Sequence, residues 1–90
     1  MLENLEQLIK IIRERKNSSP DTSYTNKLLN DKNLSVSKVK EEMGELIDSV
    51  EKNSNKIHEA ADVIYHLMVY LEANNIKIED VMKELESRKK

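Results

Sequence analysis

Glu41, Glu42, Glu45 and Asp48 fall within the eight residues EEMGELID, with no lysine or arginine among them. On a helix, at about 100° per residue, Glu41 and Glu45 lie roughly 40° apart and Glu42 roughly 60° from Glu45, so the three share one arc. Asp48 falls on the side of Glu41. A second pair, Glu59 and Asp62 in EAADVIYH, is spaced three apart, which puts both on one helix face. His66 follows one turn on, between them in angle. Exposed helix faces usually intersperse lysines among acids, because each like-charge pair one turn apart costs roughly a few tenths of a kcal/mol. Here Lys38 and Lys40 lie upstream and relieve only part of the repulsion.

Ala60, Ala61, Val63 and Ile64 flank the second pair and indicate partial burial, where a carboxylate without a cation takes up a proton instead of staying charged. Two helices carrying acids at these spacings can converge on a hard divalent cation. Mg²⁺ prefers octahedral oxygen ligands and keeps waters, which suits carboxylates together with substrate phosphates; Mn²⁺ can stand in its place. The competing reading is a solvated acidic face. Gly44, the chain's one glycine, either leaves room for a helix or ligand beside the acids or is simply tolerated, at about 1 kcal/mol against alanine.

Helices must position these groups. One proline and one glycine in 90 residues leave little punctuation for a sheet, and the apolar spacing is helical almost throughout. Leu2, Leu5, Leu8, Ile9 and Ile12 mark a first helix ending near Lys16, followed by a loop, NSSPDTS. Ser23 caps a short helix through YTNKLLND, and Ser35 caps a longer third helix with Val36, Val39, Met43, Leu46, Ile47 and Val50 on its apolar side. EKNSN breaks the pattern before a fourth helix, roughly 56–74, whose stripe is Ile57, Ala60, Ala61, Ile64, Leu67, Met68 and Leu71. Asn74 and Asn75 suit its C-terminal end, since asparagine tolerates the left-handed conformation. A final helix from about Ile78 packs Val81, Met82 and Leu85 and ends in basic residues that oppose its dipole. The expected fold is all-α: four to five helices in one domain spanning 1–90, with a central antiparallel hairpin of the two acidic helices.

Composition narrows the classes. A chain of this length has a limited core, and with no Phe or Trp the core rests on aliphatic residues, methionine and three tyrosines, which favours self-association. A formal net charge of −2 gives no general pull toward nucleic acid or an anionic membrane. Cysteine is absent, which excludes disulfides and thiolate metal sites and suits a reducing compartment. No signal peptide is visible, and the stretch from Ile57 to Ile76, free of Lys and Arg, carries Glu59, Asp62 and Glu72, each costly at bilayer depth. The expected setting is cytoplasmic, without nucleic-acid or membrane partners.

Basic and hydroxyl side chains outside the acidic set are the candidates for holding phosphates. Arg15, Lys16 and Lys27 flank SSPDTSYT, and Ser23, Tyr24 and Thr25 add hydroxyl donors. Each has a plainer reading too: helix C-terminal charge for Arg15 and Lys16, an N-cap for Ser23, solvated surface for Lys27. His66 is either a phosphate or outer contact or a hydrogen-bonded core histidine, and His58 reads as a surface residue. Tyr65 and Tyr70 read as aromatic core or interface; Met43, Met68 and Met82 read as gap-filling packing residues.

EEMGE followed by EAAD matches the E-E-x-x-E … E-x-x-D pattern of the MazG-like all-α nucleoside triphosphate pyrophosphohydrolases. With RERKNSSPDTSYTNKLL, KVKEEMGELI, EAADVIYHLMVYL and IEDVMKELESR in order, nearly the whole chain resembles the phosphoribosyl-ATP pyrophosphohydrolase family. The resemblance implies an all-α homodimer built as a helical bundle. It also implies Mg²⁺-dependent hydrolysis of phosphoribosyl-ATP to phosphoribosyl-AMP and pyrophosphate, the second step of histidine biosynthesis. By motif position the metal set is Glu41, Glu42, Glu45, Glu59 and Asp62; Glu42 is the first choice for the base that takes the proton of the attacking water, with Glu45 the alternative. Lys40 stands where the family has glycine, Met43 and Gly44 where it has small residues, and Lys77 where a serine usually caps the last helix; every acid is in place. No cyclohydrolase domain accompanies the motif, as in fused versions, so a stand-alone enzyme is expected. The competing functions are a house-cleaning pyrophosphohydrolase acting on other nucleoside triphosphates and a non-catalytic helical dimerisation module.

Overall fold

The computed structural model describes residues 2–89, and its secondary structure among these is helical. Helix α1 spans Glu3–Glu14 and tightens into a 3₁₀ turn at Arg15–Asn17. Helices α2 (Tyr24–Asn30), α3 (Lys32–Lys52), α4 (Lys56–Ala73) and α5 (Ile78–Ser87) follow. The expected all-α architecture is present, with α3 and α4 packed as the central antiparallel hairpin. Among the described residues no helix is long and apolar enough to cross a membrane.

Local chemistry sets the helix ends. The Asn26 N–H donates to Ser23 Oγ at 3.1 Å, so Ser23 caps α2 as expected. Helix α3 starts earlier than the sequence suggested. Its N-cap is Asp31, whose carboxylate accepts from the Leu34 N–H at 3.0 Å, and Ser35 is buried inside the helix. A carboxylate answers both the free N–H groups and the positive helix end, where a hydroxyl answers only the former. Asp31 also closes α2, so the two helices share one residue as their joint. Asn53 and Asn55, with φ of 54° and 56°, turn the hairpin, and Asn75, with φ of 58°, ends α4. There the Ile76 N–H returns to the Leu71 carbonyl at 2.9 Å, which satisfies an otherwise free helix-end acceptor.

The core is small: Ile12, Leu28, Met68 and Val69 are buried, joining α1, α2 and α4, with Leu5, Leu8, Ile9, Leu29, Leu34, Tyr65, Leu71 and Ile78 packed against them. This corrects the expected apolar sides. On α3 the buried positions are Ser35, Glu42 and Ser49, while Met43, Ile47 (56 % exposed) and Val50 (57 %) face outward. On α4, Ile57 (87 % exposed), Ile64 and Leu67 are exposed, whereas Met68 and Val69 are inside. Met82 and Leu85 of α5 are also about half exposed, so of the three methionines expected to pack only Met68 does so. The physical reason is supply. Helix α4 is apolar on more than one side, and α1 and α2 can cover only one of them. The chain exposes 6792 Å², against roughly 5,400 Å² for a compact monomer of its mass. Its radius of gyration is 14.2 Å, against roughly 12 Å for a compact chain of this length.

A polar network ties the outer helices together. Buried Glu72 of α4 accepts from Arg13 Nε and Lys16 Nζ, each at 3.0 Å. Arg13 also forks onto both oxygens of Glu79, at 2.9 and 2.7 Å, anchoring α5, whose other contacts are sparse. Arg13 holds the Glu79 carboxyl down to about 2. Arg13→Ala is expected to lower the unfolding free energy by about 2 kcal/mol in urea melts. That is less than the ~3–5 kcal/mol for stripping a buried charge, because Lys16 stays on Glu72 and Arg13 is itself part-exposed. The Glu79 tie is fully present above the ordinary carboxyl value of 4.5 and is lost as pH falls through about 2. Amide protection in α5 should therefore fall across that window in the wild type and be low at every pH in Arg13→Ala.

Candidate metal and active site

The hairpin brings the two acidic segments face to face. Glu42 and Glu45 stand nearly one turn apart on α3, and Glu59 lies in the first turn of α4. One carboxylate oxygen from each of these three lies within 4.8 Å of the others. Glu59 also belongs to a second group, with His58 and Asp62, gathered within the same distance. His58 Nε2 sits 3.3 Å from Asp62 Oδ2. Glu41 is not brought into either group. It lies 100° around the helix from Glu42, faces solvent, and pairs with Lys38 Nζ at 2.9 Å.

Electrostatics at the convergence is unfavourable for the chain alone. Glu42 Oε2 and Glu59 Oε2 are buried with no hydrogen-bond partner. Burial pushes the Glu42 carboxyl above its ordinary value, and the Glu45 carboxylate beside it and Asp62 push further, with His66 partly offsetting. Glu59 is raised in the same way, by burial first, then by Glu45 and Asp62, with His58 offsetting. Glu45 is thus the shared neighbour of both strained acids. An all-oxygen donor set with two orphaned, converging lone pairs fits a hard divalent cation and poorly fits a soft one. Gly44 adds room rather than contact: a Cβ built there meets nothing within 4 Å, so among the described residues no other element makes the close approach that the glycine would permit.

Most of the expected substrate-binding side chains are engaged in structure. Lys16 is held by Glu72. The Ser23 hydroxyl caps α2. The Thr25 hydroxyl bonds the Tyr65 hydroxyl, and the Tyr24 hydroxyl lies 3.4 Å from His66 Nε2. Buried His66 approaches the Asp62 carbonyl through Nδ1 at 2.9 Å. Since a carbonyl only accepts, Nδ1 carries a proton, and Nε2 faces the Tyr24 hydroxyl. The first turn of α2 is in this way docked against α4 beside the acids, and Tyr24 feels the charges of Glu42 and Glu41 as well as Lys38. Arg15 and Lys27 are exposed and carry no ion pair among the described residues.

Some participants were not legible beforehand. His58 is an exposed residue at the start of α4, as expected, and from there it also reaches Asp62, for which the i, i+4 spacing was the available signal. Asn26 and Glu72 carry no sequence signal separating them from exposed neighbours. A concavity of about 740 Å³ between α1 and α5 is lined by Leu2, Leu5, Ile9, Ile78 and Met82 among others. It contains none of the converging acids, so chemistry and not size locates the site.

The family model for phosphoribosyl-ATP pyrophosphohydrolase matches residues 5–89. The chain is 45 % identical over 91 residues to the phosphoribosyl-ATP pyrophosphatase of Clostridium acetobutylicum, covering 96 % of this chain and 81 % of that one. It is 35 % identical over 95 residues to the phosphoribosyl-ATP pyrophosphatase of Halobacterium salinarum, covering 99 % and 100 %. It is 40 % identical over 81 residues to a histidine biosynthesis trifunctional protein of Kluyveromyces lactis; this covers 90 % of the chain but spans only 10 % of that larger protein. No solved structure matches the chain.

The raised carboxyls of Glu42 and Glu59 predict an unusual stability profile for the metal-stripped protein. A folded-state pKa above the ordinary 4.5 contributes stability below that value, and the contribution is lost as pH rises through the raised one. Thermal melts in chelator should show the wild type losing stability as pH climbs from 4.5 toward neutrality. Glu42→Gln should flatten that slope and melt higher than wild type at pH 7; an equal or lower Tm would contradict the assigned strain.

Proposed function

The chain belongs to the phosphoribosyl-ATP pyrophosphohydrolase family, and from that premise we propose that it uses the Glu42–Glu45–Glu59 convergence to hydrolyse phosphoribosyl-ATP. The products are phosphoribosyl-AMP and pyrophosphate, and the reaction is the second step of histidine biosynthesis. The observation that carries the site assignment is the pair of buried, unpartnered oxygens on Glu42 and Glu59. Removing a partner from a buried charge is costly, so a fold that leaves two carboxylates in this state is built for a cation from outside.

Glu42, Glu45, Glu59 and Asp62 hold Mg²⁺ in this reading, with Mn²⁺ as a substitute, and Glu41 stands at the margin beside Lys38. Bound there, such an ion would neutralise triphosphate charge and make a coordinated water more acidic. Water adds to phosphorus at the bridge between the α- and β-phosphates, the bridging P–O bond breaks, and pyrophosphate leaves with the electron pair. Glu42, as an acid not fully committed to the metal, accepts the proton of the attacking water. Glu45, which is exposed and adjacent, is the alternative acceptor. Arg15 and Lys27 meet the phosphates as the uncommitted cations. Tyr24, Thr25 and His66 hold the α2 turn against α4, and Ser23 holds that turn closed.

A homodimer is part of the same proposal. Its support is the apolar outer face of the hairpin, Met43, Ile47 and Val50 on α3 with Ile57, Ile64 and Leu67 on α4, together with the excess exposed surface. A cytoplasmic location rests on the cysteine-free composition and on the biosynthetic enzymes the chain resembles.

Pyrophosphate release from phosphoribosyl-ATP should require Mg²⁺ or Mn²⁺ and should exceed release from a panel of deoxynucleoside triphosphates. Glu59→Gln and Asp62→Asn should each cut kcat by at least about 10²-fold with the helical spectrum intact. Near-normal turnover in both would remove the assignment, and preference for the deoxynucleotides would favour a house-cleaning role. Sedimentation should give twice the chain mass at micromolar concentration, and Ile47→Glu with Ile64→Glu should shift it toward the monomer; a wild-type monomer would refute the dimer.

A further inference from the structure

Asn26 is a buried polar side chain, 2 % exposed, within the motif SYTNKLL. Its Nδ2 donates to the Arg15 carbonyl at 2.8 Å and lies 3.5 Å from the Lys16 carbonyl. Its Oδ1 accepts from Asn30 Nδ2 at 3.0 Å, and its backbone N–H donates to Ser23 Oγ at 3.1 Å. One residue thereby joins the 3₁₀ turn bearing Arg15, the cap of α2 and the following turn of the same helix. Between the joined points runs an exposed segment, residues 18–22, closed by hydrogen bonds between Ser19 and Thr22. On its other side, α2 is fastened to α4 through Tyr24–His66 and Thr25–Tyr65, beside the acidic convergence.

The consequence is mechanical. The main chain at Arg15 is fixed to α2 through Asn26, alongside the ion pairs by which Arg13 and Lys16 reach Glu72 of α4. A fully buried amide with both ends satisfied is costly to dislodge, because its own Nδ2 and Oδ1 would lose their partners away from water, whereas the Arg15 carbonyl keeps the Ser18 N–H and Asn30 Nδ2 keeps the Asn26 carbonyl. Without the tie, flexible side-chain ion pairs to Glu72 would be left to hold the turn, and substrate binding would have to order the freedom gained by its main chain and the exposed loop. Buried as it is, Asn26 does not itself touch a ligand.

We infer that Asn26 is a positioning residue that sets the basic 3₁₀ turn, and with it Arg15, at the distance from the acidic convergence needed to receive the far end of the triphosphate. This rests on the hydrolase reading above. It commits Asn26 to substrate binding and leaves the chemical step to the acids.

The test is steady-state kinetics on the full-length protein with phosphoribosyl-ATP. Asn26→Ala should raise KM about tenfold with kcat changed less than about twofold, and inhibition by pyrophosphate should weaken in parallel. The Mg²⁺ concentration for half-activation should not move. Leu28→Ala, on the same helix and fully buried but without a tie to the turn, supplies the control: it should lower Tm at least as much and leave KM unchanged. Asn30→Ala, which removes the partner of Oδ1, should raise KM by about threefold and gives the reading if Asn26→Ala does not fold. Unchanged KM in the Asn26 and Asn30 variants, or an equal rise in Leu28→Ala, overturns the positioning role. A wild type that releases no pyrophosphate would instead overturn the functional reading itself.

Discussion

Like charges held together at the edge of a small core are the constraint around which this molecule is arranged. Glu42, Glu45 and Glu59 converge to within 4.8 Å, and two of their oxygens are buried without partners. Nothing in a solvated helix demands that. The acids lie on different helices, so their meeting depends on the α3–α4 hairpin, and the hairpin depends on the left-handed asparagines at 53 and 55 that turn it. The chain alone carries electrostatic strain there, and the donor set is one that fits a hard cation.

The remaining helices hold that hairpin still. Helices α1 and α2 cover one side of α4 through Ile12 and Leu28, which pack against Met68 and Val69. Polar contacts then do what so small a core cannot. Glu72 draws Arg13 and Lys16 across from the end of α1, and the hydroxyls of Tyr24 and Thr25 meet His66 and Tyr65 on α4. Residues that look like substrate ligands in the sequence are thus largely the fastenings of α2. Of the candidate phosphate-binding cations, Arg15 and Lys27 are exposed without an ion pair among the described residues, on the turn and the helix that those fastenings locate.

The same economy explains the outer surface. A chain of 90 residues cannot cover both sides of its most apolar helix, and α3 turns serines and a glutamate inward while Met43, Ile47 and Val50 face out. A second apolar hairpin laid against this face would complete a bundle, and the acids, on a different arc of each helix, would stay open to a nucleotide.

The sequence by itself determined the helical class, the approximate extent of α4 and α5, the Ser23 cap and the two acidic segments. These are local matters: spacing at 3.6 residues, caps, and charges close in the chain. It also carried the family, because the acids and SYTNKLL stand in recognisable order. Tertiary structure alone decided which acids meet and which do not. Glu41 shares an arc with its neighbours yet pairs with Lys38, and His58, unremarkable in sequence, reaches Asp62. It also decided which apolar face is inside, since α3 and α4 each offer more than one and the choice belongs to the helices that pack on them. Ser35 and Asp31 are both sound caps, and the shared joint with α2 selected Asp31. Burial of Asn26 and Glu72 is likewise a property of the assembled fold: an asparagine or glutamate becomes costly or useful only when neighbours distant in sequence remove its water.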